Sequence, residues 1–205
     1  NPISIEMQEA FDLAGCDFMI GTVLNQTHDI VGLCTGEAKQ VMDKGVELVD
    51  RLFTKKIRKK PDVIITAADG SPHDINLYQA LKAVHTASKV IKDDGIIMLA
   101  AECAEGMGNK VYQDWLNEYK TSEDIKQALQ KKFIIGAHKA YYHRQIIEKN
   151  TVFLSSSFNP SFVKDQVGFN PVDNVEDFFY KLVSLKTDFN NILIVPKGST
   201  TRLVF

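Results

Sequence analysis

The stretch Asp62–Lys82, DVIITAADGSPHDINLYQALK, runs from an apolar segment through a turn-rich loop into a helix-forming segment. Val63–Thr66 is an unbroken β-branched run with no polar face, as a strand buried on both sides requires. Pro72 favours an extended approach, and Asp74 is a good helix N-cap, so a helix is expected over Asp74–Ile91. Strand, loop and helix in that order are the opening of a parallel βαβ unit. The loop and first turns also bring Asp, His, Tyr, Gln and Lys close together in sequence.

The same rhythm continues downstream. Gly95–Ala101 precedes helices over Gly108–Tyr119 and Ser122–Lys131, and Phe133–Ile135 leads into a helix over Ala137–Glu148. Thr151–Ser155 leads to a helix over Val175–Leu185, and Ile192–Val195 closes the series. Short β-rich runs alternating with helices predict an α/β domain over residues 61–205, with a mainly parallel sheet and helices on both faces. Residues 1–54 read differently. A helix ending at Gly15, two apolar runs (Asp17–Leu24 and Ile30–Thr35) joined by the polar turn Asn25–Asp29, and a helix over Glu37–Phe53 predict a small helix–hairpin–helix lobe. The basic segment Lys55–Pro61 is expected to be a solvated connector.

Composition narrows the function classes. The chain has 205 residues and a formal charge of −2, which gives no broad electrostatic ground for binding nucleic acid or an anionic membrane. No apolar run approaches the roughly 20 residues that span a bilayer. The three cysteines, Cys16, Cys34 and Cys103, are far apart in apolar settings and fit free thiols in a cytoplasmic protein. The chain opens at Asn1 without a signal peptide or an initiator Met, which suggests a domain taken from a longer protein.

In an open α/β sheet, ligands bind beyond the carboxyl ends of the strands. Four loops lie there: residues 67–74, 102–109, 155–160 and 196–201. All are rich in glycine, serine or carboxylates. On the helix after the first loop, Tyr78 and Lys82 are spaced i,i+4, and Gln79 and Lys82 i,i+3, so the three occupy neighbouring ridges. An amide beside a fixed positive charge suits a small carboxylate. The same spacing describes a solvated lysine and a core tyrosine. Other chemistries have less behind them. Gly106-Met-Gly108 begins a dinucleotide-type pattern, but Val111 stands at the third glycine's place. His138 and His143 are five apart and diverge on a helix, unlike a zinc pair. No G-x-S-x-G is present. The residues alone describe a polar crevice for a small anion, and a non-catalytic anion-binding or regulatory domain fits them as well.

Longer stretches carry a resemblance. Glu9-Ala-Phe-Asp-Leu-Ala-Gly-Cys-Asp-Phe18, Val23-Leu-Asn25, Asp62-Val-Ile-Ile-Thr66 and Asp74-Ile-Asn-Leu-Tyr-Gln-Ala-Leu-Lys82 resemble the carboxyl-terminal half of the nickel-pincer lactate racemase family. Gly95–Cys103 and Gly136-Ala-His-Lys-Ala140 are similar as well. The resemblance implies a 2-hydroxy-acid racemase or epimerase, in which a nickel-pincer nucleotide takes and returns a hydride at C2 and histidines move the hydroxyl proton. It implies Lys82 and Gln79 as catalytic residues that orient the carboxylate and hydroxyl. Asp74, Tyr78 and His138 would be substrate-binding, with His138 at a position where the family carries tryptophan. The cofactor anchor and catalytic histidines belong to the amino-terminal half, so this chain is expected to hold no cofactor and no metal. Its expected partners are a small 2-hydroxy acid and that catalytic domain.

Overall fold

A computed structural model of the chain describes residues 2–185 and 189–205; Asn1, part of the first segment above, lies outside them. The chain divides into two compact units, residues 1–54 and 55–205.

In the first unit, helix α1 (Pro2–Ala14) is followed by an antiparallel hairpin, β1 (Met19–Leu24) with β2 (Ile30–Gly36), and helix α2 (Ala38–Phe53). The turn is built by Asn25, whose Oδ1 accepts the backbone N–H groups of Thr27 and Asp29 at 2.8 and 2.9 Å. Glu37 caps α2 by accepting from the Lys39 and Gln40 amides. That helix lies on the hairpin face carrying Gly21, Val23, Gly32 and Cys34: a Cβ at Gly32 would come within 2.8 Å of Leu48. The opposite hairpin face presents Ile20 and Leu33, both 65% exposed, and α1 buries none of its residues.

The second unit is built on a five-stranded parallel sheet in the order β7-β6-β5-β4-β8. Its strands are β4 (Val63–Ala67), β5 (Ile96–Ala100), β6 (Thr151–Ser155), β7 (Asn170–Pro171) and β8 (Ile192–Val195). The helices are α3 (Leu77–Ser88), α4 (Lys110–Glu118), α5 (Ser122–Lys131), α6 (Ala137–Lys149), the short α7 (Pro160–Phe162) and α8 (Val175–Ser184). Period-two alternation sends Ile64, Ile97, Leu99, Val152 and Leu154 to one core, with residues of α3, α4 and α6. Val63, Ile65, Ile96, Met98 and Phe153 go to a second core with Phe178 and Leu182 of α8. Right-handed crossovers account for this split: the chain steps from β4 to β7 in one direction, then reverses through α8 to reach β8.

Four local expectations change. Asn76, not Asp74, caps α3, accepting from the Gln79 amide at 3.1 Å, so the helix begins at Leu77. The basic segment begins as a strand, β3 (Thr54–Lys56), paired with β9 (Arg202–Val204), and Ile57 donates to the Val204 carbonyl at 2.8 Å. Phe133–Ile135 forms no strand, and Phe133 and Ile135 are exposed. Cys16 is also exposed, unlike Cys34 and Cys103, although all three thiols are free.

One buried polar chain ties α4 to α6. The Tyr112 hydroxyl donates to His143 Nδ1 at 2.7 Å, and His143 Nε2–H donates to the Val167 carbonyl at 2.8 Å. Both side chains are fully buried, and the imidazole stacks on Phe169. Burial pushes the His143 pKa down to about 3. The unfolded chain takes up this proton near pH 6.5 and the folded chain only near 3, so stability falls as pH drops through that window. The slope is about 1.4 kcal/mol per pH unit. Urea unfolding should therefore show wild type losing about 2–3 kcal/mol more than His143→Gln between pH 7 and about 4.5. Equal losses would contradict a buried neutral imidazole.

Candidate functional site

Helix α3 leaves the carboxyl end of β4, and α6 runs down to the amino end of β6. Both helices therefore start at the carboxyl rim of the sheet, next to the point where strand order reverses between β4 and β8. Their starts are locked together through α4. Gly108 has φ +77°, and a Cβ there would run into Asn76, the α3 cap. Gly136, at φ +101° before α6, would place a Cβ 2.5 Å from Asn109 Oδ1, which caps α4 by accepting from Tyr112 at 2.9 Å. Each capping asparagine thus packs against a glycine that must lack a side chain. The Gly106-Met-Gly108 pattern serves this packing: Gly106 and Met107 carbonyls accept the Leu77 and Tyr78 amides at 3.0 and 3.2 Å.

With the Gln79 amide taken by Asn76, the first three amides of α3 are occupied. The start of α3 therefore offers a ligand none of these three amides. Between α3 and α6 lies a cavity of about 300 Å³, lined among others by Lys82, His85, His138, Lys139, Tyr142 and Ser199. No Asp or Glu lines it among the described residues.

Lys82 and His138 thus share one cavity, although they lie far apart in sequence. The His138 ring stacks on Phe133, and its buried Nδ1 has no hydrogen-bond partner. Burial, and then the neighbouring Lys139, hold its pKa below the usual imidazole value. Tyr78 is half-buried, edge-on to Tyr112, with the Lys139 ammonium 5.1 Å above its ring. Gln79 is half-buried on the same helix but does not line the cavity, and neither does Asp74. The Asp74 carbonyl accepts the Cys103 amide at 2.8 Å. Burial, with Asp74 and Glu102 nearby, pushes the Cys103 thiol up to about 12, so it is no ready nucleophile. Among the described residues, no three His, Cys, Asp or Glu side chains converge as a metal site would need.

Lys139 was not singled out in the sequence, where it follows His138 as one more helical lysine. Burial and the Lys82 ammonium bring its pKa down to about 8. Ser199, whose buried Oγ has no partner, comes from the last of the four loops at the carboxyl ends of the strands. Asp69 holds a left-handed conformation (φ +68°) with both carboxylate oxygens buried and unpartnered, outside this cavity.

Residues 56–202 match the family model described as the lactate racemase C-terminal domain. The chain belongs to that family. It is 28% identical over 204 residues to the lactate racemase of Thermoanaerobacterium thermosaccharolyticum and 23% identical over 207 residues to that of Lactiplantibacillus plantarum. Each match covers 97% of this chain and 47% of the relative, so the chain spans about half the length of the curated relatives it matches. The lactate racemase apoprotein structure from T. thermosaccharolyticum superposes with a TM-score of 0.90 at 26% identity, covering 100% of this chain and 50% of that one. A Thermotoga maritima protein, at a TM-score of 0.62 and 16% identity, shares the fold alone. No helix among the described residues is long and apolar enough to cross a membrane.

Removing the Lys82 charge should raise the Lys139 pKa, since one of the two causes of its depression is a like charge. NMR titration of isotopically dimethylated lysines would follow it: we expect a midpoint near 8 in the wild type, moving upward in Lys82→Met. An unmoved midpoint would mean that the two ammonium groups do not share the cavity.

Proposed function

We propose that this chain supplies the substrate-orienting face of a 2-hydroxy-acid racemase or epimerase. The carrying observation is that Lys82 and His138 line one cavity, in a chain of the lactate racemase C-terminal family. Lys82 would hold the substrate carboxylate and stabilise negative charge as it builds up on the acid. Gln79, one turn earlier, would reach the C2 hydroxyl from the rim, and Tyr78 would close the apolar side. His138 would contact the substituent at C3. Asp74 would act through the loop carrying Cys103 rather than through the cavity.

The resemblance puts the anchor of the nickel-pincer cofactor in the other half of the longer relatives, so this reading gives the present chain no part in holding it. The hydride chemistry and proton transfer would reside in the additional half that the longer relatives carry. That half would also cover the apolar faces of the first unit, where Ile20, Leu33 and much of α1 are exposed. This chain by itself would bind substrate without racemising it.

Calorimetric titration with lactate and, separately, with AMP tests the proposal. Lactate should bind, and Lys82→Ala should weaken it about ten-fold or more through loss of a charge-assisted contact. Unchanged lactate binding in that variant, or binding of AMP alone, would defeat the proposal. Lactate binding that survives in a longer form without any turnover would favour a sensing or regulatory domain instead.

A further inference from the structure

The cavity between α3 and α6 has more cationic and donor capacity than one carboxylate uses. Lys82 contributes an ammonium from α3 and Lys139 a second from α6, and no carboxylate lines the space to neutralise them among the described residues. His138 of the first turn of α6 and Ser199 of the loop after β8 also line the space. The Lys139 ammonium is also placed by the Tyr78 ring, 5.1 Å from its centroid, rather than left to swing in solvent.

A single carboxylate brings one charge and two oxygens. Held at Lys82, it would leave the half-buried Lys139 without a counter-charge, a costly state for such a group. A small molecule with a carboxylate at each end meets both ammonium groups. A cavity of about 300 Å³ is at the small end for ligand pockets, which suits a four- or five-carbon acid.

We infer that the 2-hydroxy acid taken by this chain carries a second carboxylate, held by Lys139 while Lys82 holds the carboxylate next to the hydroxyl. This rests on the substrate-side reading of Lys82 given above and adds one position to it. Lys139 then selects among 2-hydroxy acids, whereas Lys82 serves all of them. A methyl group in place of the second carboxylate would leave the far half of the cavity unsatisfied.

Calorimetric titration of the chain with malate and with lactate at pH 7, in wild type, Lys139→Met, Lys139→Arg and Lys82→Met, tests this. Far-UV circular dichroism confirms that each variant keeps its fold. In wild type, malate should bind about ten-fold tighter than lactate. Lys139→Met should abolish that preference by weakening malate and leaving lactate within about two-fold, Lys139→Arg should retain most of it, and Lys82→Met should weaken both acids. If lactate binds through Lys82 but malate binds no tighter, the second carboxylate is wrong and the substrate-side reading stands. If malate keeps its advantage in Lys139→Met, the assignment to Lys139 is wrong. If neither acid binds the wild type, both readings fail together.

Discussion

Two asparagine–glycine contacts hold the functional end of this molecule in place. Asn76 against Gly108 and Asn109 against Gly136 set the starts of α3, α4 and α6 side by side at the rim of the sheet. Each asparagine caps a helix through its Oδ1 and uses the rest of its side chain as packing surface. A methyl group at either glycine would have to displace a cap, and both glycines sit at positive φ, where a side chain is strained in any case. The relative placement of Lys82 and Lys139 follows from this arrangement. Without it, the two ammonium groups would lie on helices free to slide past each other.

The same rim decides how an anion can be held. In many α/β proteins the open amides of a helix start receive the negative group. Here the Gly106 and Met107 carbonyls and Asn76 have taken the first three amides of α3, so in the proposed reading an anion beside α3 would be held by side chains. Lys139 is pressed into partial burial beside another cation, and its pKa drops accordingly. Sites that hold charge under such strain are those where a ligand of opposite sign restores the balance.

Much of the sheet is legible because β4, β5 and β6 are short, continuous, β-rich runs whose central residues are buried, whereas the two-residue β7, Asn170–Pro171, carries no such mark. Val63–Thr66 and Thr151–Ser155 needed no knowledge of neighbours. Pairings that depend on distant partners were not legible: β3 is the basic Thr54–Lys56, and only its contact with Arg202–Val204 makes it a strand. Phe133–Ile135 erred the other way, since an apolar run carries no mark of whether another element will cover it. At the candidate site, the spacing of Tyr78, Gln79 and Lys82 is visible in sequence but describes a solvated lysine equally well, and only the family resemblance points to Lys82. Lys139 did not, because its importance comes from facing a helix more than fifty residues earlier. Asp74 and Asn76 are both good capping residues, and the contact with Gly106 and Met107, invisible in the sequence, decides that the helix begins at Leu77.

The account stands or falls on where a small acid sits. A crystal structure of the chain soaked with malate would show this most directly. The prediction is density between α3 and α6, with one carboxylate in hydrogen-bond reach of Lys82 Nζ and the other of Lys139 Nζ. Density elsewhere, in contact with neither lysine, would contradict it.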